Sequence, residues 1–283
     1  MQVVTTIKEM QTTISREKKQ GKSVGFVPTM GFLHEGHLEL IKKARANNEI
    51  VVLSIFVNPI QFGPNEDFSS YPRDFERDKQ LAEKEGADYI FYPSVDEMYP
   101  SESSVIVHVK KRTDVLCGKS RPGHFDGVST VLTKLFHIIQ PDKAYFGKKD
   151  AQQVAVVEGL VEDFNFPIEI IAVEIVREKD GLAKSSRNIR LLPSEREQAS
   201  SLYESLLLAK KHIDDGEKDS EKIMTIIKEK LEKMDGVIDY VEILAYPSLE
   251  KQPVLNKKMI IALAVKFSKA RLIDNLIINI DED

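Results

Sequence analysis

The sequence predicts an α/β fold in which a Rossmann-like parallel sheet flanked by helices precedes a smaller α+β C-terminal domain. Short β-rich runs alternate with helical patterns early in the chain, as in parallel sheets joined by right-handed crossovers. One of those runs, residues 50–57, is almost continuously apolar, as expected for a strand covered on both faces. After about residue 185 two helical stretches are followed by strand-like runs. We therefore predict a larger domain at 1–184 and a small domain, a candidate lid, at 185–283.

The individual elements follow from apolar periodicity and from the turn residues between them. In the first domain, strands are predicted at 24–27, 50–57, 89–92, 143–146 and 168–176. Helices are predicted between them at 38–47, 74–85, 127–139 and 151–163. The second domain is predicted to contain helices at 194–214 and 220–234 and strands at 240–245 and 259–267. Because ligands of parallel sheets bind at the carboxyl ends of the strands, the loops that follow the strands are the candidates for a site.

Composition is that of an ordinary soluble protein, since 42% of the 283 residues are apolar and 30% are charged. The formal net charge of −5 argues against a nucleic-acid-binding surface spread over the protein. Lys8 and Glu9 interrupt any apolar signal segment, and no apolar run is long enough to span a bilayer. The single cysteine, Cys117, excludes an internal disulfide framework. We expect a cytoplasmic protein that binds neither nucleic acid nor membranes, with residues 281–283 as a solvated acidic terminus.

The most informative segment is 28–37, Pro-Thr-Met-Gly-Phe-Leu-His-Glu-Gly-His, which joins the first predicted strand to the first predicted helix. Unpaired N–H groups and the helix dipole favour anions there, and His34 and His37 lie on one face of the first helical turn. Phosphate binding is the expected use. A zinc protease is excluded because H-E-x-x-H requires histidines four residues apart, whereas these are three apart. Residues 21–23, Gly-Lys-Ser, resemble the end of a P-loop but precede a strand, and Arg16 stands where that motif needs glycine.

Four further polar or basic loops lie along the chain at 58–62, 121–127, 146–153 and 180–188. Each has a structural explanation of its own, as a turn, a surface ion pair, a helix cap or an exposed loop. Each also suits a ligand. Gln61 offers an amide to a small hydroxy acid, Gly147 lets the backbone approach a ligand, and Lys184 and Arg187 flank two hydroxyls suited to polyphosphate. Five such loops at successive strand ends favour one shared site over five unrelated turns.

Taken together, these segments resemble the pantoate–β-alanine ligase (pantothenate synthetase) family of the H-x-G-H nucleotidyltransferase superfamily. The similarity covers nearly the whole chain, with motifs in order at 28–37, 56–62, 71–73, 121–127, 146–153 and 185–188. H-x-G-H alone marks only the superfamily, whereas the six motifs together are specific. The resemblance implies ATP-dependent condensation of pantoate with β-alanine through pantoyl adenylate, with release of AMP and pyrophosphate. It also implies Mg²⁺ and a homodimer.

The resemblance further implies roles for individual residues. ATP is expected to contact Met30, Gly31, His34, His37, Gly147, Lys149, Asp150, Val176, Ser185, Ser186 and Arg187, with Val176 beside the adenine. Pantoate and β-alanine are expected to contact Asn58, Gln61, Arg121, His124 and Gln153. The residues expected to be catalytic are His34, His37, Lys149, Ser185, Ser186 and Arg187. Asp78 is suggested as a magnesium partner, and His37 is our first choice for the group that protonates or hydrogen-bonds the departing phosphate.

Two lysines depart from the family pattern. Lys148 stands where glutamate is common, and Lys184 stands where methionine or leucine is usual. Both add positive charge beside the expected phosphates, so we include both among the ATP-binding residues.

Other functions stay open at this point. A cytidylyl- or adenylyltransferase would use the same histidine motif, but only a ligase would require an amine and release AMP. A nucleotide-binding module would bind ATP without turnover. A fragment of a class I aminoacyl-tRNA synthetase would bind tRNA, against which the net negative charge argues.

Overall fold

A computed structural model describes residues 1–64 and 66–280 of the chain. The strands are β1 (Gln2–Val4), β2 (Val24–Thr29), β3 (Ile50–Ile55), β4 (Tyr89–Phe91), β5 (Lys143–Gly147), β6 (Glu169–Val173), β7 (Val237–Ala245), β8 (Lys257–Lys266) and β9 (Arg271–Ile280). The helices are α1 (Ile7–Lys19), α2 (Glu35–Asn47), α3 (Phe75–Lys84), α4 (Val95–Met98), α5 (Leu116–Ser120), α6 (His124–Ile139), α7 (Ala151–Asp163), α8 (Pro193–Gln198), α9 (Ser201–Asp214) and α10 (Ser220–Leu231). Short 3₁₀ turns lie at Pro59–Gln61, Lys148–Asp150 and Asn188–Arg190. The acidic residues 281–283, predicted to be a solvated terminus, lie outside the described residues.

The first six strands form one parallel sheet in the order β1-β4-β3-β2-β5-β6, which confirms the predicted Rossmann-like fold. Strand order reverses between β2 and β5, because β3 and β4 lie on one side of β2 whereas β5 and β6 lie on the other. Ligands of open parallel sheets bind at such a reversal, beyond the carboxyl ends of the strands. The segment that follows β2 is 30–34, and the segment that follows β5 is Lys148–Asp150.

Alternate residues of the central strands face opposite sides of the sheet, and both sides are covered. Phe26 and Val52 belong to an apolar cluster that contains Leu135 of α6. Their chain neighbours Val27 and Leu53 belong to a second cluster with residues of α2. This arrangement explains the nearly continuous apolar run of β3, all of which is buried.

The second sheet is antiparallel in the order β7-β8-β9, and α9 and α10 pack with it in a separate apolar cluster. The first residue of that cluster along the chain is Leu182, and the domain boundary at 184 stays a prediction. Two predictions differ from the structure here. The single helix predicted at 194–214 is interrupted at residues 199–200, and strand β9 was not predicted. Within the described residues, no helix is both long enough and apolar enough to cross a membrane.

Candidate active site

The turn between β2 and α2 is held by a buried carboxylate on α3. Gly31 has a φ of 82° and Phe32 a φ of 48°, so the backbone here adopts the left-handed conformation that favours glycine. The two oxygens of Asp78 accept hydrogen bonds from the N–H groups of Phe32 and Leu33, each at 2.7 Å. Burial raises the pKa of Asp78 against the opposing effect of these hydrogen bonds. This geometry gives Asp78 a positioning role in the turn, and the magnesium contact that the resemblance implied stays a prediction.

His34 and His37 follow that turn at the start of α2. His34 is the N-cap, and its Nδ1 accepts the N–H of Gly36 at 3.1 Å. The Nδ1 of His37 accepts the N–H of His34 at 3.3 Å, and the ring centroids are 4.0 Å apart. Because each Nδ1 is an acceptor, the proton of each neutral ring lies on Nε2. The helix therefore begins with two imidazole N–H donors beside its own free backbone N–H groups.

Both rings are neutral near pH 7. Burial, followed by the charges of Lys149, Lys184 and Arg77, lowers the pKa of His34 to about 4. Burial and the neighbouring His34 lower the pKa of His37 well below its usual value. As neutral donors, the two rings can hydrogen-bond phosphate oxygens without first losing or gaining a proton.

We expect these histidines to make the protein acid-sensitive. The unfolded chain protonates its histidines near pH 6.5, whereas the folded protein protonates His34 only near pH 4. Stability therefore falls as the pH drops from 6.5 towards 4, because the unfolded state then binds more protons, and these groups have no such effect above that window. His34→Asn keeps an N-cap acceptor but cannot titrate. Denaturant unfolding at about pH 7 and pH 5 should show a loss about 1 kcal/mol smaller for His34→Asn than for wild type, and equal losses would contradict this account.

Gln61 lies on the 3₁₀ turn after β3, and buried neighbours orient it. Asn58 donates from Nδ2 to Gln61 Oε1 and to the carbonyl oxygen of Gly127, each at 3.1 Å, and accepts from the Tyr99 hydroxyl at 2.9 Å. Helix α6 approaches this turn so closely at Gly127 that an added Cβ would lie 2.5 Å from the carbonyl oxygen of Ile60. Protein groups thus engage both the nitrogen and the oxygen of the Asn58 amide. Asn58 therefore positions Gln61, whose own amide nitrogen lies 3.4 Å from the Met30 sulfur.

His124 and Arg121 lie beside the same turn. Nδ1 of His124 lies 2.9 Å from the carbonyl oxygen of Gln61, and its Nε2 lies 3.0 Å from Nη1 of Arg121. Burial, followed by the charge of Arg121, lowers the pKa of His124 to about 4. The neutral ring therefore donates from Nδ1 to the carbonyl and accepts from the guanidinium at Nε2. This network fixes Arg121 near Gln61.

The turn after β5 presents Gly147, Lys149 and Asp150 to the cleft. An added Cβ on Gly147 would meet no protein atom within 4 Å, so its Cα faces open space. The Lys149 ammonium lies 3.3 Å from the Asp150 carboxylate. Asn275 of β9 is buried and donates to the carbonyl oxygens of Lys148 and Lys149, each at 2.9 Å. The second sheet thus helps to hold this turn.

The segment 183–190 completes the cleft. Ser186 Oγ lies 3.4 Å from the Tyr71 hydroxyl, and the Arg187 guanidinium lies over the Tyr71 ring at 5.7 Å from its centroid. The two lysines that the sequence adds beside the expected phosphates are each paired. Lys148 contacts Glu174, and Lys184 lies 3.3 Å from Glu35 in the histidine turn. Each extra charge therefore has a local counter-ion.

A cavity of about 230 Å³ at the strand-order reversal brings most of the predicted residues together. Its walls include Met30, His34, His37, Asn58, Gln61, Arg121, His124, Gly147, Lys149, Asp150, Gln153, Val176, Lys184, Ser185, Ser186 and Arg187. Gly31, Asp78 and Lys148 are not among its lining residues. A second cavity of about 500 Å³ lies between the second sheet and the helix starts at 116–125 and 149–153. It shares Arg121, His124, Lys149, Asp150, Gln153, Ser185 and Arg187 with the first.

Sequence reasoning missed several residues that line these cavities. Glu174 and Tyr71 line the first cavity, and Glu66, Asp67 and Arg190 line the second. Only Tyr71 had a signal, as part of the motif at 71–73. The others are ordinary charged residues whose partners are distant in sequence.

Among residues 1–64 and 66–280, no group of three or more histidine, cysteine, aspartate or glutamate side chains is gathered closely enough to hold a metal ion. The donor set does not fit a metal held by protein alone. Mg²⁺ usually binds proteins through few carboxylates together with substrate phosphates.

Comparisons with known proteins point to one family. The family model for pantoate–β-alanine ligase matches residues 2–277. Pantothenate synthetase of Geobacillus sp. strain WCH70 is 59% identical over 281 residues, which cover 99% of this chain and 100% of that protein. The crystal structure of pantothenate synthetase from Thermus thermophilus superposes with a TM-score of 0.93 at 44% identity, over 98% of this chain and 99% of that one. Pantoate–β-alanine ligase from Francisella tularensis, complexed with β-γ ATP and β-alanine, has a TM-score of 0.79 at 36% identity, over 98% of this chain and 97% of that one.

Proposed function

This chain belongs to the pantoate–β-alanine ligase family, and from that premise we propose how its residues join pantoate to β-alanine at the expense of ATP. The reaction forms pantothenate through pantoyl adenylate and releases AMP and pyrophosphate. The observation that carries the proposal is the cavity that joins the histidine turn, Lys149 and segment 185–187 to Gln61 and Gln153. Side chains that can donate hydrogen bonds to phosphate and amide groups that can bind a hydroxy acid thus line the same cavity. The complex of the Francisella tularensis relative with a nucleotide and β-alanine supports the same use of the site.

The first step is adenylation. A carboxylate oxygen of pantoate forms a bond with the α-phosphorus of ATP while the bond to the bridging oxygen breaks and pyrophosphate leaves. No protein nucleophile is required, so the protein contributes alignment and stabilisation of charge. His34 and His37 donate hydrogen bonds from Nε2 to phosphate oxygens, while Lys149 and Arg187 neutralise developing charge. Gln61 and Gln153 align the pantoate carboxylate.

The histidines act as hydrogen-bond donors and not as acids in this mechanism. A ring with a strongly lowered pKa is neutral at physiological pH, and a neutral imidazole is a poor acid but a good donor. This choice refines the sequence-based hypothesis that His37 protonates or hydrogen-bonds the leaving phosphate.

In the second step the amine of β-alanine attacks the acyl carbon, the bond to the phosphate oxygen breaks and AMP leaves. The adenylate is prone to hydrolysis, so the site must keep water out between the steps. The second cavity lies against the small C-terminal sheet and shares Arg121 and Arg187 with the first. It provides a route by which β-alanine reaches the acyl carbon.

Three further expectations rest on the resemblance or on composition. We infer that Mg²⁺ binds together with the phosphates of ATP. A homodimer and a cytoplasmic location are the other two. Sedimentation of the purified chain would measure the oligomeric state, and fractionation of cells would measure the location.

Product analysis tests the proposed function against a nucleotidyltransferase. Purified protein with ATP, Mg²⁺ and pantoate should form AMP and pantothenate only when β-alanine is added. Formation of a stable dinucleotide or nucleoside-diphosphate product, without any need for an amine, would instead identify a nucleotidyltransferase.

We expect Gln61→Ala to weaken pantoate binding by about 10–100-fold and to leave ATP binding largely unchanged. Loss of one hydrogen-bond partner from a buried polar ligand costs roughly 1–3 kcal/mol, and 10–100-fold lies within the range of affinities that this cost spans. Calorimetric titration with each substrate measures the effect, and Gln11→Ala, an exposed amide on α1, is the matched control. A selective loss of ATP binding in Gln61→Ala would overturn the assignment.

A further inference from the structure

Two neighbouring acidic side chains pair with arginines of the cleft. Glu66 forms a two-pronged pair with Arg121, with Oε1 2.8 Å from Nε and Oε2 2.5 Å from Nη2. Asp67 pairs with Arg187 in the same manner, at 3.2 Å from Nε and 3.0 Å from Nη2. Asp67 also accepts from Nη1 of Arg190 at 2.8 Å. Each carboxylate thus occupies the fork by which a guanidinium binds a substrate carboxylate or phosphate.

Both arginines line the cleft. The proposed function assigns Arg187 to the phosphates, and the family resemblance assigns Arg121 to pantoate and β-alanine. Arg121 lies at the Gln61 side of the cleft through its contact with His124. Arg187 lies beside the Ser185 and Ser186 hydroxyls at the phosphate side. The two acidic residues therefore lie at opposite ends of the cleft, Glu66 at the Gln61 side and Asp67 at the phosphate side.

Both acidic side chains are ionised and half-buried. Burial alone would raise the pKa of Glu66, but the hydrogen bonds and charge of Arg121 outweigh it and lower that pKa. The pKa of Asp67 is lowered in the same way, with Arg187 and Arg190 overcoming the effect of burial. A substrate anion must therefore replace a charged partner in order to use the same fork.

We propose that Glu66 and Asp67 are internal counter-anions that compete with the substrates and so set their affinity. Glu66 takes the place of the pantoate carboxylate at Arg121, and Asp67 takes the place of an ATP phosphate at Arg187. An unpaired guanidinium in a half-buried cleft is costly, so a carboxylate partner stabilises the empty site. Residues 64, 69 and 70 of the same segment are exposed, which leaves the displaced carboxylates a path to water. This inference rests on the proposed function.

If Glu66 and Asp67 instead supported substrate binding, neutralising them would change the affinity in the opposite direction. If the carboxylates merely held the arginines ready for substrate, their neutralisation would loosen the arginines and weaken binding. If they compete, neutralisation will tighten binding. Glu66→Gln and Asp67→Asn keep the size of the side chain and an oxygen acceptor while removing the charge.

The experiment is calorimetric titration of the full-length protein. We expect Glu66→Gln to lower the Kd of pantoate by about tenfold, measured with α,β-methylene ATP and Mg²⁺ present, and to leave the Kd of the nucleotide unchanged. Asp67→Asn should lower the Kd of α,β-methylene ATP by a similar factor and leave that of pantoate unchanged. Glu229→Gln, an exposed charge on α10, is the control for net charge and should change neither value.

Unchanged or weaker binding of the matching substrate by either folded variant would overturn the assignment for that residue. Equal tightening by Glu229→Gln would also overturn it, because the effect would then be one of net charge. The wild-type protein separates this result from failure of the proposed function. If wild type binds pantoate and makes pantothenate, a negative result concerns Glu66 and Asp67 alone.

Discussion

Replacing His37 by alanine is expected to slow formation of pantoyl adenylate by about 10²–10³-fold while the protein still folds. The ring is one of two neutral Nε2 donors at the start of α2, and removal of one such donor to a developing charge has effects of that size. Its Nδ1 accepts a single 3.3 Å hydrogen bond from the His34 N–H at an N-terminus that His34 already caps, so the fold depends little on it. Rapid-quench measurement of pyrophosphate release with pantoate, in the absence of β-alanine, gives the rate.

Two matched variants separate the two nitrogens of His37. Asparagine can replace the Nδ1 acceptor that caps the His34 N–H, whereas glutamine can place a donor near the position of Nε2. We therefore expect His37→Asn to be as slow as His37→Ala and His37→Gln to recover part of the rate. Near-normal release of pyrophosphate by His37→Ala would remove His37 from the mechanism.

Replacing Asp78 by alanine is expected to lower the free energy of unfolding by about 3 kcal/mol and to impair adenylation as well. The substitution leaves the buried N–H group of Leu33 and the partly buried N–H group of Phe32 without their acceptor. It also releases the turn that aims His34 and His37. Chemical denaturation and the rate of pyrophosphate release should therefore both change.

A control on the same helix sharpens this prediction. Asp74 caps α3 by accepting the N–H of Arg77, and asparagine caps helices equally well. Asp74→Asn should therefore leave stability nearly unchanged, whereas Asp78→Asn, which retains one acceptor, should lie between wild type and Asp78→Ala. If Asp78→Asn kept its full stability but needed much more Mg²⁺ for activity, the positioning role would be wrong and the metal contact would be favoured.

The elements that sequence predicted best are those with strong local patterns. Helix α7 was predicted with its observed bounds, and the central strands were predicted to within three residues at each end. Strand β1 and helix α1 were missed. The strand has three residues and lies at the sheet edge, while α1 buries a narrow stripe that includes Met10 and Ile14 among charged residues.

Strand β9 was missed for a different reason. Asp274 and Asn275 interrupt its apolar pattern, yet both are buried because their partners come from the first domain. Asp274 pairs with Arg177 at 2.6 and 2.9 Å, and Asn275 holds the turn after β5. Such long-range pairs leave no periodic signal in the sequence.

In the candidate site too, residues with a local sequence signal were predicted and residues with distant partners were missed. Residues carried by family motifs, such as His37, Gln61 and Arg187, were predicted and line one cavity. Their individual roles stay predictions. Residues that act through distant partners, such as Asp67, could not be identified. An acidic residue in a loop is usually solvated, and the neighbouring sequence does not indicate which arginine it pairs with.

Pantoate-dependent exchange of pyrophosphate into ATP is the measurement that tests the central claim most directly. With purified protein, ATP and Mg²⁺ but no β-alanine, we expect labelled pyrophosphate to enter ATP only when pantoate is present. That result would establish reversible formation of pantoyl adenylate in this site. Absence of exchange from folded protein that binds ATP would contradict the account, and would point to another acceptor than pantoate.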